Sequence, residues 1–245
     1  MIGRRKRMWL AAGAVAAGLF VLAAWRLPVM PLLTFLQFRV WPEQARLQHL
    51  VLLQHPGTGQ ELFVLGTTHE HHYRDAAYSV WHLKAALLAL RPDTVFIESM
   101  PAEVLAGAWG EGPIEMPFVA LAAREAGAKV VGIDAGWEGA WRGRQRQMFE
   151  NLRAGLLPVR RGVVACGFMH VLSFVDQLES EGFVRVPLAD RDKEQVLDGP
   201  VDRTWPAGMR AALEAAIARA PGRIQDAAEL ERYVALRRQV LDGMK

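Results

Sequence analysis

The sequence has a single cysteine, Cys166, in 245 residues. This excludes an intramolecular disulfide and a cysteine-rich zinc site. Because Cys166 follows the apolar residues Val-Val-Ala, we expect it to be a buried, unreactive thiol. The chain also lacks low-complexity tracts, and its 51% hydrophobic and 22% charged residues are typical of a globular protein.

The first 26 residues contain no acidic side chain but five Lys or Arg, four of them in Arg4-Arg5-Lys6-Arg7. The uncharged run Met8–Trp25 follows and is just long enough for a transmembrane helix. We expect a retained signal anchor rather than a cleaved signal peptide, since Leu22 and Trp25 disrupt any small-x-small cleavage site. A buried soluble helix fits poorly, because the run has no polar face. The basic cluster should stay in the cytoplasm, which places the following domain on the extracytoplasmic, periplasmic side.

The rest of the chain has little excess charge. Residues 27–245 hold 24 Lys and Arg against 26 Asp and Glu, which leaves no basic face for a nucleic-acid partner. We therefore divide the chain into a signal anchor over residues 1–26, a juxtamembrane linker over 27–46 and one domain over 47–245.

Apolar runs that alternate with helical patterns predict an α/β fold, in which helices flank a mainly parallel sheet. The turn Pro56-Gly57-Thr58-Gly59 predicts a hairpin between strands at Leu47–Gln54 and Glu61–Leu65. The other predicted strands are Thr94–Ile97, Lys129–Ile133, Gly162–Cys166 and Phe183–Val186. The predicted helices are Asp75–Leu90, Met116–Ala126, Trp141–Leu156, Val171–Glu181, Ala207–Ala220 and Asp226–Met244.

One pattern occurs twice: an apolar strand ends in a glycine, and a histidine stands three residues later. The two copies are Gly66-Thr67-Thr68-His69 and Gly167-Phe168-Met169-His170. Glycine allows a turn or a close approach to a ligand, and open α/β sheets bind ligands at the carboxyl ends of their strands. A single copy could be a structural or capping histidine, but two copies predict that His69 and His170 converge.

The neighbouring histidines do not form a zincin motif. His-Glu-x-x-His needs a histidine at position 73, where this chain has Tyr73, and it needs a helix rather than the end of a strand. We interpret His71 and His72 as exposed loop residues with incidental metal affinity.

Two acidic residues, Glu98 and Asp134, each follow an apolar strand, and the simplest interpretation of both is a solvent-facing acid. Glu98 with two histidines would also suit a divalent transition metal, or acid–base catalysis without a metal. Arg142, Arg144 and Arg146 crowd the start of a predicted helix, where positive charge opposes the helix dipole. Either they form a solvated basic face or one is held by an anion or a carboxylate.

In their order, these motifs resemble the TraB/PrgY/GumN family, which is related to the Tiki proteins and more remotely to EreA/ChaN-like proteins. That family has two Gly-x-x-His motifs, a glutamate closing an intervening strand, and an arginine that begins an Arg-Asn-x-x-Met helix. Glu98 and Arg144 occupy the last two positions here, although Gln145 replaces the asparagine and Arg142 or Arg146 could substitute for Arg144. The resemblance spans roughly Leu47–Val186, with a short helical region between Glu98 and the second motif.

The resemblance implies an activity. Tiki-like members are regarded as metal-dependent proteases acting on extracytoplasmic peptides, PrgY-like members are associated with inactivating a peptide pheromone, and ChaN-like relatives with haem iron. It therefore implies a peptidase-like metallohydrolase with a peptide or protein substrate. His69, Glu98 and His170 would hold Mn, Co or Zn, and Arg144 would steady an oxyanion or a substrate carboxylate. Gly66 and Gly167 would be cofactor-binding. The alternative is a non-catalytic module that binds haem, metal or peptide in the same cleft.

Overall fold

The computed structural model describes residue 40 and residues 46–136 and 141–244. The predicted anchor over residues 1–26, and the predicted linker apart from residues 40 and 46, lie outside this part. Within the described residues, no helix is both long and apolar enough to cross a membrane. Arg46–Lys245 form one compact unit.

Six strands form one mixed sheet, so the predicted α/β class is confirmed. In chain order the strands are β1 (Leu50–His55), β2 (Gln60–Thr67), β3 (Thr94–Ile97), β4 (Lys129–Gly132), β5 (Arg161–Gly167) and β6 (Val184–Val186), and their spatial order is β4-β3-β5-β2-β1-β6. The predicted parallel arrangement holds for β4, β3, β5 and β2. The predicted hairpin places β1 antiparallel to β2, and β6 pairs antiparallel with β1.

Eight helices have described bounds. They are α1 (Val80–Leu90), α2 (Pro101–Leu105), α3 (Met116–Glu125), α4 (Trp141–Gly155), α5 (Phe168–Ser180), α6 (Asp190–Leu197), α7 (Met209–Arg219) and α8 (Ala227–Gly243), with 3-10 segments at His69–Tyr73 and Ala220–Gly222.

Two predicted helix starts are corrected. The helix predicted from Asp75 begins at Val80, because the Asp75 carboxylate accepts a bond from the Ala77 N–H and holds a turn there. The helix predicted from Val171 begins at Phe168, directly after β5. His170 therefore lies in the first turn of α5 rather than in a loop.

Both faces of the sheet are buried. On one face, alternate strand residues such as Val64, Phe96 and Val164 pack with α4 and α5 in a continuous apolar core. On the other face, residues such as Phe63 and Val95 are also buried, and α3 contacts β3 and β4. A sheet covered on both faces leaves its strand ends as the place where polar side chains can gather.

The strand register brings the two glycine–histidine motifs side by side. In the parallel pair of β2 and β5, Gly66 lies opposite Cys166 and Thr67 opposite Gly167. On the other side of β5, Ile97 lies opposite Ala165, so the next residue of that chain segment, Glu98, projects from the same edge.

Candidate functional site

His69 is held in place by a buried carboxylate. Its backbone takes a left-handed φ of 51°, which is uncommon for a residue other than glycine. Its Nδ1–H donates to Oε1 of Glu115 at 2.9 Å, and the Thr67 hydroxyl donates to the same oxygen at 2.5 Å. With Nδ1 engaged, the ring presents Nε2 to the site. The His69 side chain is 43% exposed, whereas that of Glu115 is fully buried.

Glu98 lies at the centre of the site and is almost fully buried. Its Oε2 accepts the backbone N–H of Gly167 at 2.7 Å, and its Oε1 accepts Nη2–H of Arg144 at 2.9 Å. Nε2 of His170 lies 3.4 Å from the same Oε1. One carboxylate thus contacts the second motif and the arginine helix together.

His170, in the first turn of α5, is buried against α4. Its Nδ1–H is assigned as the donor to Oε1 of Gln145. In this orientation of the ring, Nε2 points towards Glu98. The indole of Trp141 stacks on the imidazole, with the ring centroids 4.6 Å apart. The ring is therefore fixed at both nitrogens and on one face.

The two glycines leave space that a side chain would fill. A Cβ on Gly167 would lie 2.7 Å from Nε2 of His69 and 3.3 Å from Oε2 of Glu98. A Cβ on Gly66 would lie 2.8 Å from the side chain of His49 and 2.9 Å from that of Val171, the residue after His170. Gly167 therefore makes room for His69 of the first motif, and Gly66 makes room for His49 and α5.

Of the three candidate arginines, Arg144 is the one that faces the site. It is buried, and its Nε and Nη2 donate to the two oxygens of Asp134 at 2.9 and 3.0 Å, in addition to the bond to Glu98. Arg142 and Arg146 are exposed. Glu98 and Asp134 are thus buried partners of Arg144, which corrects their interpretation as solvent-facing acids.

The charges of the site hold both glutamates ionised. Burial alone would raise the pKa of Glu98, but the bond to His170 and the charges of His170 and His69 lower it to about 2. Burial likewise opposes the ionised form of Glu115, and His69 outweighs it, so the pKa is lowered. Burial would lower the pKa of His69, yet the charge and the hydrogen bond of Glu115 raise it to about 9. At pH 7 His69 is therefore an imidazolium between two carboxylates.

The interpretation of His71 and His72 as exposed loop residues holds for the first and is wrong for the second. His72 is buried, where its Nε2 accepts the Thr68 N–H at 2.9 Å and its Nδ1–H donates to the Tyr78 carbonyl at 2.8 Å. Burial lowers its pKa to about 4. It is a neutral structural histidine that fixes the turn carrying His69.

Glu115 was not predicted from the sequence. It precedes α3 in the segment Gly110–Glu115, where an acidic residue before a helix is ordinarily explained as a favourable charge at the helix N-terminus. Its burial depends on long-range packing that a local pattern does not reveal. Its second oxygen, Oε2, is buried without a hydrogen-bond partner among the described residues.

The donor set fits a divalent metal by chemical type. Histidines that bind a metal usually donate their other ring N–H to an oxygen acceptor, as His69 does to Glu115 and His170 to Gln145. Nε2 of His170 lies 3.4 Å from the Glu98 carboxylate, and Nε2 of His69 and Oε2 of Glu98 both border the space at Gly167. In the described part of the chain, no three His, Cys, Asp or Glu side chains are drawn together closely enough to hold an ion.

Comparison with known proteins gives no relative: no family model, curated protein or solved structure matches this chain.

Proposed function

We propose that this chain is an extracytoplasmic metal-dependent hydrolase, peptidase-like and of the TraB/GumN type. The observation that supports it most directly is the pair of fixed imidazoles. Each has its Nδ1–H bound to an oxygen acceptor. Nε2 of His170 lies 3.4 Å from the buried carboxylate of Glu98, and Nε2 of His69 borders the same glycine, Gly167, as that carboxylate. Two nitrogens and a carboxylate suit Mn, Co or Zn.

Each residue would have a separate task. His69, His170 and Glu98 would hold the metal, which when bound activates water and polarises the scissile carbonyl. Glu115 and Gln145 would keep the two imidazoles in the tautomer that leaves Nε2 unprotonated.

Arg144 would hold Glu98 in position and add positive charge beside the reacting carbonyl, where an oxyanion develops. The proton of His69 must leave before its Nε2 can bind a metal, so metal affinity should fall as the pH is lowered below about 9.

Substrate would approach from the side of His69. Its side chain is 43% exposed, whereas Glu98 and His170 are 2% and 3% exposed. Because water is excluded from the buried part of the site, the electrostatic interactions there are stronger than at the exposed part.

The first test is metal content. The full-length protein, purified in detergent and dialysed against Mn²⁺, Co²⁺ or Zn²⁺, should retain metal in a near-stoichiometric amount. His69→Ala and His170→Ala should each lower the affinity by at least about 10-fold. His71→Ala, which removes an exposed histidine two residues from His69, is the matched control. Equal metal retention in all four proteins would refute the metal site.

The second test is turnover of a mixed peptide library, followed by mass spectrometry. Cleavage that stops with EDTA and returns with added metal is the expected result. Cleavage that survives EDTA but requires His69 and Glu115 would instead support metal-free acid–base catalysis by that pair. Metal or haem binding without cleavage would support the binding module.

The location is tested separately. Alkaline phosphatase fused after residue 245 should be active in a bacterial host, and green fluorescent protein at the same point should be dark. The reverse pattern would place the domain in the cytoplasm.

A further inference from the structure

A pocket of about 300 Å³ opens between α4 and α5. Its lining consists of Trp141, Arg142, Gln145 and Arg146 from α4, and Ser173 and Gln177 from α5. These six side chains include two cations and no acid. The pocket adjoins the site, because Gln145 and Trp141 both contact His170.

The two arginines of this pocket have no ion-pair partner among the described residues. Arg142 and Arg146 stand one turn apart on the same side of α4. Like charges at this spacing repel, and the first turns of a helix already carry the positive end of its dipole. A bound anion would relieve both effects.

A buried amide of the same pocket has no acceptor. Gln145 is 6% exposed, and its Nε2 has no hydrogen-bond partner among the described residues. Its Oε1 is taken by His170, and Gln145 lines the pocket. Native proteins rarely leave a buried hydrogen-bond donor without an acceptor, so this amide is an independent sign of a ligand.

Arg144, by contrast, is committed to Asp134 and Glu98. Its donors are therefore engaged within the protein, whereas Arg142 and Arg146 face the pocket. We propose that the pocket of Arg142, Gln145 and Arg146 binds a carboxylate of the peptide substrate. The carboxylate comes from the C-terminus or from an Asp or Glu side chain. This inference rests on the proposed hydrolase function, since it names that enzyme's substrate class.

The test measures binding without turnover, in the full-length protein in detergent with EDTA. Three dansylated probes are compared by fluorescence anisotropy: penta-alanine as the free acid, penta-alanine amide, and Ala-Ala-Asp-Ala-Ala amide. At least one anionic probe should bind about 10-fold more tightly than the neutral amide. The free acid and the Asp probe distinguish the two sources of the carboxylate.

The variants assign that preference to the pocket. The double variant Arg142→Ala/Arg146→Ala should bind all three probes equally. Gln145→Glu, which keeps Oε1 for His170 and replaces the amide nitrogen by an oxygen, should also abolish the preference. Arg238→Ala, an exposed arginine on α8, should keep it. Circular dichroism verifies that each variant is folded.

Equal binding of the three probes to the unaltered protein would overturn the proposal, as would a preference that survives in the double variant. Failure of the hydrolase function gives a different result. If the protein retains no metal but still binds the anionic probes more tightly, the carboxylate pocket is supported and the metal-dependent hydrolase is refuted.

Discussion

Gly167 is packed closely against both His69 and Glu98. A Cβ there would lie 2.7 Å from Nε2 and 2.9 Å from Cε1 of His69, closer than real Cβ contacts come. In Gly167→Ala the imidazole of His69 must shift from its present position. We expect metal retention to fall by at least about 10-fold and the free energy of unfolding by about 1–3 kcal/mol. Metal analysis and urea denaturation measure the two effects.

The control for this substitution is Gly143→Ala in α4, where a Cβ would meet nothing within 4 Å. Alanine is the better helix former, so this variant should be more stable by up to about 1 kcal/mol. Equal stability losses in the two variants would contradict the packing argument.

Arg144 neutralises two buried carboxylates. In Arg144→Met, Glu98 and Asp134 would lose their buried partner, and we expect the free energy of unfolding to fall by about 3–5 kcal/mol. Arg146→Ala, on the exposed side of the same helix, should change it by less than about 0.5 kcal/mol. Urea denaturation at pH 7 compares the two, and a small effect of Arg144→Met would show that its two carboxylates become protonated at little cost.

The stability of the metal-free protein should depend on pH in two windows. The pKa of His69 is raised from 6.5 to about 9, so its contribution is complete below pH 6.5 and is lost as the pH rises through 9. Burial lowers the pKa values of His49 and His72 to about 4, so their contribution is present above pH 6.5 and is lost as the pH falls through 4. We therefore expect maximal stability near pH 6.5.

Thermal unfolding in EDTA between pH 4 and pH 9 measures this profile. His69→Gln should flatten the alkaline side. The loss of stability that begins just below pH 6.5 should remain, since it belongs to His49 and His72. Near pH 4 the profile should change, because His69 lowers the pKa values of Glu98 and Glu115. A melting temperature that stays constant from pH 6.5 to pH 9 would contradict the His69–Glu115 pairing.

At the scale of the elements, Arg237 ties the last helix to the loop that carries Glu115. Its guanidinium donates to the carbonyls of Gly110 at 3.0 Å and Gly112 at 2.9 Å. Arg237→Gln should lower the free energy of unfolding by about 1.5–3 kcal/mol, because a charged, buried hydrogen-bond donor is lost. Hydrogen exchange should accelerate in Gly110–Glu115, and metal retention should fall because Glu115 orients His69.

The exposed neighbour Arg238 provides the control for this loop. Arg238→Ala should leave both exchange and metal retention unchanged. Exchange that accelerates over the whole chain, rather than in the loop, would show that Arg237 acts through global stability alone.

The sequence predicts correctly those strands and helices in which the apolar pattern and the residues that end the element indicate the same structure. The hairpin at Pro56–Gly59 and the strands before Gly66, Glu98 and Gly167 combine apolar runs with clear endings. The short helix α2 and the charged helix α6 were missed, because neither has the apolar periodicity on which the prediction depends.

At the scale of the whole molecule, the same limit applies to the site. His69, Glu98 and His170 follow predicted strands, and their placement at one sheet edge follows from the parallel order. Glu115 and the role of Gln145 depend on how distant segments pack, which no local pattern carries. The burial of His72 is missed for the same reason.

Cys166 reports on the whole fold, because it is the only cysteine and is fully buried within the sheet. Burial raises the pKa of its thiol well above the ordinary value, so the reactive thiolate is suppressed as well. We expect a thiol reagent to label the native protein at least about 1,000-fold more slowly than the urea-unfolded chain. The rate should rise with urea in parallel with loss of circular dichroism, and fast native labelling would contradict this burial.

The close packing of the two glycines has a consequence for how the protein can change over evolution. Space at Gly66 is occupied by His49 and by Val171, the residue after the second motif, and space at Gly167 by His69 from the first motif. A larger residue at Gly167 is therefore tolerated only together with a change at His69, and one at Gly66 only together with changes at His49 and Val171, so these positions should covary across homologues. Transplanting this site into another scaffold would require both strands to move as one unit.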